Sequence, residues 1–90
     1  MDKDEFAETI IKNQENAIHV EFDDDEVDIV YDVTDPDTGE YDPLAVIDIA
    51  NMAYEHKTNG KLIALDFSED ENLKLARISL KNDVMDDWIT

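Results

Sequence analysis

From Val27 to Val33 every second residue is apolar: Val27, Ile29, Tyr31 and Val33. The alternate set, Glu26, Asp28, Val30, Asp32 and Thr34, is mostly polar. Side chains with a period of two alternate between the faces of a strand. One face of this strand therefore belongs to a core and the other to water, since carboxylates are not buried without partners. A second alternating run precedes it. In Ala17 to Phe22, Ile18, Val20 and Phe22 point one way, and His19 and Glu21 the other. Asp23, Asp24 and Asp25 separate the two runs as a polar turn, which makes them a hairpin.

The remaining segments complete an order of elements. Asp2 to Asn16 reads as a helix with an apolar face of Phe6, Ala7, Ile10 and Ile11, and with Asp2 and Asp4 at the end where the helix dipole favours negative charge. Asp35-Pro36-Asp37-Thr38-Gly39 is a turn. Asp42-Pro43 opens a second helix, with Asp as the cap and Pro in the first helical position. It runs to about Lys57, and its expected buried stripe is Val46, Ile47, Ala50, Ala53 and Tyr54, widened by Leu44, Ile49 and Met52. Gly60 or Asn59 ends it in the left-handed conformation. Lys61 to Phe67 reads as a strand and Ser68 to Asn72 as a turn. For Leu73 to Leu80 two readings compete. The composition suits a returning strand, while Leu73, Ala76, Leu80, Val84 and Trp88 keep a helical period behind a Ser68/Glu71 capping spacing. The strand is favoured. Asn82 to Thr90 is a candidate short final helix, with Val84, Met85, Trp88 and Ile89 closing one end of the core.

The expected fold is one α+β domain spanning residues 1–90: an antiparallel sheet of about four strands with helices on one face, in the order α-β-β-α-β-β.

Charge decides which function classes remain. The chain has 25 acids and 7 bases, a net charge of −18. Eleven of the carboxylates fall between Glu21 and Asp42, and no Lys or Arg occurs from Asn13 to His56. Residues 1–42 carry 16 acids against 2 bases, and residues 43–90 carry 9 against 5. Such lopsided charge differs from an evenly acidic halophilic surface and points to an interaction face. A nucleic acid or an anionic membrane would repel it, whereas a cationic protein groove would attract it. With 42% hydrophobic residues the chain is not an acidic disordered tail. The acidic start, MDKDEFAE, is unlike a signal peptide, and no apolar run reaches membrane length, so the expected location is the cytoplasm.

No catalytic or metal-binding constellation emerges. There is no Cys, and Ser68 and Ser79 sit in no nucleophile motif. His19 and His56 lie on different elements, with His56 expected to be exposed near a helix end. Counting back from Gly39 puts Thr34, Pro36 and Thr38 where a calcium loop needs acids. The expectation is a non-enzyme without cofactor or metal. Lys74, Arg77 and Lys81 are grouped and fit pairing with nearby acids. The expected partner-binding set is Asp23, Asp24, Asp25, Asp28, Asp32, Asp35, Asp37, Glu40 and Asp42, with Tyr41 as an aromatic anchor.

In size, charge, lack of Cys and style of elements, the chain resembles small phage-encoded inhibitors that imitate DNA. These include anti-CRISPR proteins, the uracil-DNA glycosylase inhibitor and anti-restriction proteins. The resemblance covers the whole chain and rests on no motif. It implies a basic nucleic-acid-binding target, such as a nuclease, a restriction enzyme or a CRISPR effector, and a stoichiometric mechanism in the host cytoplasm. Two other readings share the same physics or need none of it: an immunity or antitoxin-type protein that neutralises a basic toxin, and an acidic structural or assembly protein of a mobile element.

Overall fold

A computed structural model describes residues 2–84 of the chain. Helix α1 spans Lys3–Asn13. The Asp2 side chain accepts from the Glu5 amide at 2.8 Å and so caps one of the free N–H groups of the first turn. The helix stops at Gln14, which turns extended while its N–H still reaches the Ile10 carbonyl. Strands β1 (Ala17–Asp23) and β2 (Glu26–Asp32) follow as a hairpin. Helix α2 (Pro43–Thr58) is capped by Asp42, whose side chain accepts from the Leu44 amide. Its C-terminal turn closes at Gly60 in the left-handed region, φ 74°. Strands β3 (Leu62–Asp70) and β4 (Leu73–Lys81) form the second hairpin. Leu73 to Lys81 is thus a strand, because it pairs with both β2 and β3.

The sheet is antiparallel throughout, in the order β1-β2-β4-β3. β4 fills the place between β2 and β3, and α2 makes the crossover from β2 to β3. Phe6 and Ile10 of α1 and Ala45, Ile49 and Ala53 of α2 share one cluster with Val27, Ile29 and Tyr31 of β2 and Ala76, Ile78 and Leu80 of β4. Both helices therefore cover the same face of the sheet. Phe6 meets Phe22 edge-on, with ring centroids 6.2 Å apart. The Tyr31 hydroxyl, deep in this layer, donates to the Gln14 side-chain carbonyl, and burial pushes its pKa up.

Three details depart from simple periodicity. Ile18 sits in a β-bulge of β1 and is 48% exposed, so only Val20 and Phe22 of the expected inward trio pack on the core. Ile11 of α1 is likewise exposed, whereas Phe6 and Ile10 are fully buried. The buried stripe of α2 is Ala45, Ile49 and Ala53, flanked by Val46 and Met52, while Leu44, Ile47, Ala50 and Tyr54 face outward. Asn82 to Val84 form a single short turn, and Val84 is buried in the core. The rest of the expected final helix, including Met85, Trp88 and Ile89, lies outside the described residues.

The β3–β4 turn holds Glu71 at φ 55°, the one non-glycine residue with positive φ among those described. An L-residue with a Cβ is strained there. Glu71→Gly should raise unfolding stability by about 0.5–1 kcal/mol, measured by urea denaturation. An unchanged midpoint would mean that the turn carries no such strain.

Candidate protein-binding face

The register fixes what the uncovered face of the sheet presents. β1 contributes His19, Glu21 and Asp23, β2 contributes Glu26, Asp28, Val30 and Asp32, and β4 contributes Leu73, Leu75, Arg77, Ser79 and Lys81. β3 adds Ala64, Asp66, Ser68 and Asp70. Seven carboxylates thus share this face with one arginine, one lysine and one histidine.

Further acids lie in the segments at the two ends of β2. At one end is the Asp24-Asp25 turn. The Asp23 carboxylate accepts from the Asp24 amide at 2.9 Å. Asn82 ties the turn to the end of β4, donating from its backbone to the Asp25 carbonyl and from its side chain to the Asp24 carbonyl. At the other end is the loop from Val33 to Asp42, which is pinned and not free. Thr34 and Tyr41 form a β-bridge. The Val33 amide donates to the Lys74 carbonyl, and the Lys74 amide donates to the Thr34 hydroxyl. Within the loop, the Asp35 carboxylate accepts from the Asp37 amide, and Gly39, at φ 76°, closes a turn onto the Asp35 carbonyl. Asp24, Asp25, Asp37 and Glu40 are exposed, while Asp32, Asp35 and Asp42 are half-buried. Asp32 accepts from the Thr34 amide, and Asp42 is committed to capping α2.

The middle of the face differs from its ends. Arg77 of β4 lies 3.6 Å from Asp28 and 4.0 Å from Glu21. Val30 and Ser79 beside it are buried. Asp28 shows only 17% of its side chain to solvent, and its buried Oδ1 has no hydrogen-bond partner among the described residues. The negative charge therefore forms two exposed lobes, the Asp23–Asp25 turn and the Asp35–Glu40 loop, joined by a band where Arg77 offsets part of the charge. Asp28 and Asp32 are four residues apart, roughly 13 Å along the strand, so the lobes stand farther apart than that.

Glu26 belongs to the first lobe. The neighbouring Asp28 carboxylate, which favours the protonated form and repels the charged one, raises the Glu26 pKa above the ordinary carboxylate range; partial burial and Asp23 add to this, and the nearby Ser79 hydroxyl opposes it. A carboxyl that holds its proton more tightly folded than unfolded destabilises the fold once ionised. Stability linked to Glu26 is therefore present below its unfolded value and lost as pH rises through its raised folded value. The thermal midpoint should climb as pH falls through the raised folded value toward the ordinary carboxylate range, and Glu26→Gln should flatten that climb. The same pH slope in both proteins would rule out this origin.

Tyr41 lies on the helix side of the sheet, away from the carboxylates of the uncovered face. Its ring meets Phe67 edge-on with centroids 6.0 Å apart, and Lys74 lies 5.8 Å over it while pairing with Glu69 at 2.8 Å. With Pro43, Val46 and Phe67 it lines an apolar groove on the helix side of the molecule, of about 340 Å³. Glu21, Glu26, Asp66 and Asp70 join the sheet face without having been singled out by sequence. The alternation of β1 and β2 already placed the first two there. The second two needed the β3–β4 register.

His19 pairs with Glu21 at 3.0 Å on this face. His56, expected to be exposed, is half-buried, and burial lowers its pKa. Among the described residues no group of three or more His or carboxylate side chains converges as metal ligands would, and no helix is long and apolar enough to cross a membrane. No family model, curated protein or solved structure matches the chain.

Proposed function

We propose that this protein is a non-enzymatic inhibitor that occupies the cationic nucleic-acid groove of a DNA-binding protein or nuclease. The observation that carries the reading is the distribution of charge on the sheet: the helices cover one face, carboxylates from three strands line the other, and two pinned acidic loops stand at the ends of β2. Folded backbone holds these acids in place, so little side-chain and loop freedom is lost on binding. Lys and Arg of the target pair with them in place of phosphates, and the counterions of both surfaces are released. The two lobes take the role of separate phosphate clusters. The half-neutralised band around Arg77 contributes shape more than charge.

Location in the cytoplasm, where such a target works, is part of this proposal. The test is capture of binding proteins from a host lysate on the immobilised chain at low and high salt, followed by competition with duplex DNA. The expected result is a basic nucleic-acid-binding protein that is released by salt and displaced by DNA. Capture that ignores salt, or a captured protein that binds DNA and inhibitor together, would overturn the reading.

A further inference from the structure

The outward side of α2 carries Leu44, Ile47, Asn51 and Tyr54. Leu44, Ile47 and Tyr54 are 74, 54 and 65% exposed, unusual values for large apolar side chains on one helix. Their spacing of three, four and three residues is that of a coiled-coil seam. The spacing also reads the same in both directions. When two α2 helices run antiparallel about a two-fold axis at the level of Ile49, Leu44 falls opposite Tyr54 and Ile47 opposite Asn51, and both pairs recur at the other end.

Charge narrows the choice of occupant. Residues 43–67 hold three acids and two lysines, in a chain of net charge −18. None of the four seam positions is charged. Here the repulsion between two copies is weaker than at the acidic sheet face, and a cationic partner finds fewer carboxylates than it does there. The apolar groove of Tyr41, Pro43, Val46 and Phe67 opens beside the start of α2, the end to which an antiparallel partner brings its Tyr54.

From these observations we propose that the protein self-associates through α2, as an antiparallel homodimer with Tyr54 of each copy at the Tyr41–Phe67 groove of the other. The association is independent of the acidic sheet face and leaves that face open on both copies.

Sedimentation equilibrium on the full chain tests it. The expected result is a monomer–dimer equilibrium that tightens as salt rises, because salt screens the mutual repulsion of two acidic chains. That trend is opposite to the one expected for a cationic target, so the two proposals fail separately. Ile47→Glu should weaken the dimer roughly tenfold or more with an unchanged circular dichroism spectrum, since position 47 is exposed. Leu44→Lys and Tyr54→Glu should each be monomeric alone and dimerise when mixed, because the antiparallel register sets the introduced lysine of one copy against the introduced glutamate of the other. A wild-type chain that stays monomeric at about 100 µM in high salt, an Ile47→Glu variant that dimerises like the wild type, or a mixture that stays monomeric would each overturn it.

Discussion

Changing Asp23, Asp24, Asp25, Asp35, Asp37 and Glu40 to their amides is expected to weaken binding to a cationic target strongly while leaving the fold intact and firmer. The substitution removes six charges from the two exposed lobes and no volume from the core. An amide side chain retains a carbonyl oxygen, so positions 23 and 35 still accept from the backbone N–H groups of residues 24 and 37, as the native carboxylates do. The turns keep their geometry and lose only their charge. Each ion pair with the target releases counterions, and affinity falls with salt in proportion to the number of such pairs. The variant should therefore show both a lower affinity and a shallower slope of log affinity against log salt. Restoring one lobe at a time separates their contributions. The thermal midpoint should rise, because like charges crowd both lobes. If the variant is lower in affinity but keeps the wild-type slope, the acids act through shape and not through charge.

Phe6→Ala is expected to cost about 3–5 kcal/mol of unfolding stability. A domain of this size has a total of roughly 5–13 kcal/mol to lose. Phe6 is fully buried, lies against Phe22 and sits at the centre of the face by which α1 rests on the sheet. Truncation leaves a cavity that β1 cannot collapse into, because its pairing with β2 fixes its position. The loss should appear in urea denaturation followed by circular dichroism. Binding to a cationic target below the unfolding transition should change little, since Phe6 faces away from the acids. A cost under about 1 kcal/mol would show that α1 is a loose attachment to the sheet.

The strands of the first hairpin were legible because alternation is a direct record of two unlike faces. Val27 to Val33 alternate in the folded sheet as the sequence alternates. The Asp42-Pro43 start of α2 was equally plain, since a cap and a proline act locally. The buried side of α2 was not, for a physical reason. Apolar residues occur on most sides of the helix, so no stripe stands out, and two of its three buried positions are the small residues Ala45 and Ala53, not the largest ones. The bulge at Ile18 also left no trace, because one extra residue in a strand reads as unbroken alternation. As for the acidic face, its β2 row could be read from the sequence. Its interruption could not: Arg77 reaches Asp28 only because β4 inserts beside β2, and that pairing joins residues 49 positions apart.

That same insertion governs the order in which the molecule can be assembled. A nascent chain that has reached Asn72 possesses both helices and three strands, yet β2 and β3 have no neighbour on the sides they will share. Only the arrival of Leu73–Lys81 gives β3 a partner and β2 its second one. Burial of the apolar surface of α2 must await this last pairing, so synthesis delivers a product that locks in one late step instead of growing from its N-terminal end.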